Sequence, residues 1–76
     1  MTELEWLKIF GDNLKSLLNE YRMTQRELAD AAGLAESSIS AYINKTKMPG
    51  VKALINIADA FNMSLDELID FGSRIH

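Results

Sequence analysis

The chain has 76 residues, 47% of them apolar, a formal net charge of -3 and no cysteine. That length makes one domain around one core, and the lack of thiols excludes disulfides, CxxC redox chemistry and thiolate metal sites. The single histidine, His76, is the last residue, with no second His or Cys to build a nucleophile or a zinc site around it; we expect no enzyme, no metal and no cofactor.

No apolar run approaches the roughly 20 residues a membrane helix needs. The start, MTELEWLKIF, is acidic and lacks the shape of a signal peptide. A soluble, cytoplasmic protein is the expectation. Charge is unevenly spread. Residues 1–21 set Lys8 and Lys15 against four carboxylates (-2), and residues 53–76 set Arg74 against Asp59, Asp66, Glu67 and Asp70 (-3). Residues 22–52 alone are basic (+2), with Arg22, Arg26, Lys45, Lys47 and Lys52 against Glu27, Asp30 and Glu36.

Helical spacing dominates, and nothing alternates with period two. Leu4, Leu7, Phe10, Leu14, Leu17 and Tyr21 make one apolar stripe. Gly11-Asp12-Asn13 interrupts it, leaving residues 1–9 as either a separate turn or an extension of the first helix. MTQRELADAAG then predicts a short second helix. Thr24 and Glu27 can form a reciprocal capping box, Met23 can staple onto Leu28, and Gly33 supplies a left-handed stop. A third helix is expected from Glu36 to Ile43 or Asn44, and KTKMPG reads as a loop, since Met48 precedes proline.

The fourth helix is expected over about Val51 to Phe61, with Val51, Leu54, Ile55, Ala58 and Phe61 on its inner side. Asn62-Met63 breaks the chain, and Ser64 with Glu67 offers a second capping box. It opens a fifth helix that buries Leu65, Leu68 and Ile69 and ends at Gly72. The fold class is therefore all-α: a compact bundle of five short helices, one domain over residues 1–76.

Residues 25–44 carry the spacing of a helix-turn-helix, two helices meeting steeply through a short glycine turn. Ala29 sits where the helices cross closest and Gly33 makes the turn. Leu28, Ala32, Leu34, Ile39 and Tyr42 take the inward positions.

The stretch TQRELADAAGLAESSISAYINKTKMPGVKALINIADAFNMSLDELI resembles the lambda-repressor-like, or Xre/Cro-type, helix-turn-helix family of phage and bacterial transcriptional regulators. The likeness covers roughly Phe10 to Phe71. It rests on TQxELAxxAG, the Ile39-Ser40 pair, the proline before the fourth helix and SLDELI in the fifth. It implies a repressor that binds double-stranded DNA, commonly as a homodimer, with the third helix in the major groove.

Carried over by position, the resemblance places Gln25 and Arg26 at backbone phosphate and Glu36, Ser37, Ser38, Ser40 and Ala41 toward base edges. Asn44, Lys45, Thr46 and Lys47 match the loop that grips phosphate beyond the groove. Phosphate contacts set affinity and salt dependence, and base-edge contacts set specificity. Each role has a plainer rival. The serines also fit a solvated helix face, Glu36 fits either a favourable helix-start charge or an acceptor for cytosine N4, and the lysines fit an ordinary surface.

Three departures from the family pattern stand out. Ala35 replaces the usual capping Ser or Thr of the third helix, at a cost of about 1 kcal/mol. Lys45 stands where glycine is usual, which assigns the left-handed turn to Asn44. Leu18 and Ile43 replace an Arg–Glu pair common in the family, an exchange that is often neutral or stabilising; both should be largely buried and in contact.

A different class of function remains open on this scaffold: an antitoxin or anti-repressor that binds a protein partner. The acidic ends and the apolar Trp6, Ile9 and Phe10 motivate it, unless that segment simply folds back on the bundle. Any dimer made by these residues would use the bundle itself, through Phe71, Ile75 or the N-terminal segment.

Overall fold

The computed structural model describes the backbone of residues 2–74 and the side chains of residues 2–69. Five helices follow in order: α1 Glu3–Glu20, α2 Gln25–Ala32, α3 Glu36–Ile43, α4 Val51–Ala60 and α5 Leu65–Arg74. The described residues hold no strand, and no described helix is long and apolar enough to cross a membrane.

The N-terminal residues extend the first helix rather than forming a separate turn. Thr2 caps α1 by accepting from the Glu5 amide at 3.1 Å, and Glu3 and Glu5 place negative charge at the positive end of the helix. Gly11 sits mid-helix, where glycine costs about 1 kcal/mol relative to alanine. Packing explains it: a Cβ there would lie 2.8 Å from the Tyr42 carbonyl oxygen and 3.2 Å from that of Ile43. The glycine therefore lets α1 approach the end of α3 closely.

One core joins all five helices. Phe10, Leu14, Leu17, Leu28, Ile39, Ile57 and Leu68 are its largest fully buried side chains, with at least one from each helix. Helix α1 packs on α3 and α5, α2 packs on α3 and α4, and α4 meets α5. The buried Asn13 donates from Nδ2 to the Ile69 carbonyl at 3.2 Å, tying α1 to α5. Trp6 stacks on Phe10 with ring centroids 5.1 Å apart, and Phe10 meets Tyr42 edge-on at 6.3 Å. That aromatic chain seats the N-terminal extension on the bundle, although Ile9 stays exposed.

Four helix ends close in the same way. At α1, α2, α3 and α4 a left-handed residue follows the helix, namely Arg22, Gly33, Lys45 and Asn62. In each, the following residue's amide returns to the carbonyl five positions back: Met23 to Leu18, Leu34 to Ala29, Thr46 to Ala41 and Met63 to Ala58, all at 2.9 Å. This is the Schellman closure, and only one of the four uses glycine.

Several expectations are corrected. Ala58 and Phe61 are buried as expected and Leu54 is half-buried, but Val51 and Ile55 face solvent, and α4 turns Ala53 and Ile57 inward in their place. Apolar residues run most of the way round that helix, so periodicity alone could not choose the inward face. Leu4 and Tyr21, at the two ends of the α1 stripe, are exposed, though Tyr21 packs edge-on against Phe61. Ile69 is exposed too. Helix α5 continues past Gly72 to Arg74, since glycine permits a helix to stop without compelling it. Asn44 is right-handed (φ -79°) and Lys45 carries the positive φ of 64°. The cap bond pattern fixes which residue must turn: the left-handed position is the one whose successor reaches back to Ala41, and that is Lys45. The suggested dimer contacts Phe71 and Ile75 lie outside the residues whose side chains are described.

Candidate nucleic-acid interface

The helix-turn-helix is built as its residues require. The Thr24–Glu27 box opens α2: Thr24 Oγ1 accepts from the Glu27 amide at 3.0 Å, and Glu27 Oε1 accepts from the Thr24 amide at 2.9 Å. The bond from the Thr24 amide first, and the Thr24 hydroxyl beside the carboxylate second, hold the Glu27 carboxyl below its ordinary value of 4.5. Ala29 is buried at the crossing, and Gly33 turns the chain with φ 67°. Leu28, Ile39 and Tyr42 are buried and Leu34 is half-buried, so α3 is seated from its inner side.

What α3 leaves outward is polar. By the 3.6-residue repeat, Glu36, Ser37, Ser40, Ala41 and Asn44 share one face, with Ser38 at its edge. Glu36, Ser37 and Asn44 are exposed, whereas Ser38, Ser40 and Ala41 are half-buried. No side chain caps the helix at Ala35, which leaves the first-turn amides without a side-chain acceptor. Asn44 Nδ2 donates to Ser40 Oγ at 3.4 Å, one turn back on the same face.

Beyond α3 the chain stays polar and exposed. Thr46 donates from its hydroxyl to the Ala41 carbonyl at 3.3 Å, doubling the backbone bond to the same oxygen. Lys47 is exposed. Lys45 behaves differently: its ammonium lies 2.7 Å from Asp12 Oδ1, the one salt bridge among the described residues. Sequence reasoning missed that partner. The available signal was Gly11-Asp12 inside an otherwise regular apolar stripe, a close approach followed directly by a carboxylate. At the start of α2, Gln25 is half-buried and Arg26 exposed.

The residue pair that departs from the family is partly as expected. Leu18 is buried, whereas Ile43 is only half-buried against the same core. Ile43 closes α3 beside Gly11, at the edge of the bundle rather than inside it.

A family model described as "Helix-turn-helix" matches residues 14–68, which runs from the middle of α1 into α5. The chain belongs to the helix-turn-helix family. Among curated proteins it is 34% identical over 61 residues to the uncharacterized HTH-type transcriptional regulator YqaE of Bacillus subtilis, covering 80% of this chain and 53% of that protein. It is 31% identical over 61 residues to the antitoxin PezA of Streptococcus pneumoniae, covering 80% and 39%. A second uncharacterized HTH-type transcriptional regulator of Bacillus subtilis, YobD, is 26% identical over 61 residues, covering 80% and 54%. This helix-turn-helix chain thus spans about half the length, or less, of the curated relatives it matches.

Proposed function

We propose that the protein is a sequence-specific DNA-binding transcriptional regulator, a repressor of the phage type. It lays α3 in the major groove and binds as a homodimer. The observation that carries this is the division of α3. Ile39 and Tyr42 are buried to seat it, while Glu36, Ser37, Ser40 and Asn44, with the small Ala41 among them, form an outward face flanked by Lys45 and Lys47. Serine hydroxyls and one carboxylate are weak readers of base edges. Affinity therefore leans on the phosphate contacts of Gln25, Arg26, Asn44, Thr46 and the two lysines, and part of the specificity on DNA shape.

Selection from a random duplex library tests the reading. A recovered site with two-fold symmetry and half-sites about one helical turn apart is expected for a dimer; recovery of no preferred sequence counts against it. Lys47→Ala should weaken binding to every duplex and reduce the slope of log K against log salt by about 0.9 for each phosphate no longer neutralised. Ser37→Ala should change the preferred sequence instead.

The likeness to a protein named as an antitoxin supports a second reading, in which the bundle binds a protein partner in place of DNA. Leu4 and Ile9 are exposed on the N-terminal extension, and Glu3, Trp6, Met48 and Pro49 line a shallow groove beside it. Under this reading, no duplex is bound even at low salt, and a gel-shift titration at two salt concentrations separates the two.

A further inference from the structure

The contact between Asp12 and Lys45 serves no evident purpose in the fold. The pair lies outside the core, with the Asp12 side chain 69% exposed and that of Lys45 35% exposed. Exposed pairs of this kind contribute little to stability. The backbone at Lys45 would in fact suit glycine better, since φ is 64°. A lysine is nevertheless there, and its ammonium is turned back onto α1. Its stem crosses Gly11, where a Cβ would come within 3.0 Å of Lys45 Cγ. So Gly11 leaves room for the stem, and Asp12 receives the charge at the end of it.

Resting on the DNA-binding reading, we infer that Asp12 is a stand-in for a DNA phosphate on Lys45. A carboxylate oxygen and a phosphate oxygen offer the same acceptor to an ammonium, a short charge-assisted hydrogen bond. In the free protein Asp12 holds the Lys45 head at the edge of the interface, pre-positioned but occupied. An incoming phosphate must take the ammonium from the carboxylate and leave that negative charge beside the DNA backbone. Asp12 is thus a positioning residue that lowers affinity on every sequence and leaves the choice between sequences unchanged. It gives this acidic chain, of net charge -3, a way to keep a phosphate grip while holding its overall DNA affinity down.

The test is a double-mutant cycle on the full chain. Duplex binding is read by fluorescence anisotropy over a range of salt for the wild type, Asp12→Asn, Lys45→Met and the double variant. Thermal melts establish that each is folded. Asp12→Asn should tighten binding roughly two- to fivefold on all duplexes, and most of that gain should be lost in the Lys45→Met background. Asp12→Glu should keep wild-type affinity. An equal gain with and without Lys45 would mean plain repulsion between Asp12 and DNA and would overturn the inference, as would no gain at all. The pair is read separately in the free protein from the 15N signal of the Lys45 ammonium, expected to shift in Asp12→Asn and not in Asp12→Glu. A wild type that shows the pair but binds no duplex sinks the functional reading. A wild type that binds duplex without the pair sinks this inference alone.

Discussion

Helices α2 and α3 are eight residues each and pack on one another, yet their ends are built from opposite chemistry. Helix α2 opens on a reciprocal capping box and closes on Gly33, with the apolar Leu34 tucked in behind. Helix α3 opens on Ala35 with no side-chain cap and closes on a left-handed lysine, followed by the exposed Thr46. The backbone bonds at the two closures are the same. One helix is stabilised by its own ends; the other is held by what it leans on, chiefly Ile39, Tyr42 and the approach of Gly11. Under the DNA-binding proposal, local stability is given up where polar and charged groups are needed on the outside, the usual trade between stability and function.

If α3 is held from outside, the largest effect should come from its support. Gly11→Ala improves helix propensity by about 1 kcal/mol, but its methyl would press on the Tyr42 carbonyl, a backbone atom that cannot swing away. A net loss of about 1–3 kcal/mol in urea unfolding is expected, as for other overpacked sites. A variant more stable than the wild type would show that α1 and α3 meet less closely than described.

The two left-handed closures should respond with opposite sign. Nothing lies within 4 Å of a Cβ at Gly33, so Gly33→Ala meets no clash and loses about 1 kcal/mol through backbone strain alone. Lys45→Gly relieves the same strain at φ 64° and should gain up to about 1 kcal/mol, less the small worth of an exposed ion pair. The same variant should bind DNA more weakly. Destabilisation by both substitutions would mean that the Lys45 side chain matters to the fold more than its backbone does. At the other end of α3, Ala35→Ser should add about 0.5–1 kcal/mol in the same assay by restoring a cap, and no gain would show those amides already satisfied.

Much of this contrast is legible in the amino-acid order. Thr24, Glu27 and Gly33 announce the ends of α2, and Ala35 announces the uncapped start of α3, because caps are local and depend on one or two side chains. Burial on α4 and α5 is less legible. Val51, Ile55 and Ile69 are apolar at helical spacing, yet they lie on outer faces chosen only when the helices dock. The Asp12–Lys45 pair is invisible for a related reason: its partners are 33 positions apart, joined by a glycine contact that only the fold creates. The roles of Gln25, Arg26, Glu36, Ser37 and the lysine loop rest on position within the motif, since side chains of these types read the same on any solvated surface.

The smallest effect concerns the capping box that α2 has and the start of α3 lacks. Glu27 is fully exposed, and its carboxyl is held below 4.5 by bonds that need the charged form. A folded-state value below the unfolded one means that the stabilisation is complete above about 4.5 and fades as pH falls through the lowered value. Glu27→Gln keeps an acceptor without the titration, so the wild type should exceed it at neutral pH and converge on it in acid. Protection factors for the first-turn amides of α2 should drop over that same acid window, while those of α3 show no matching step from a cap. A parallel drop in both helices would trace the change to loss of the whole bundle, and the contrast between their ends would not be what sets their local stability.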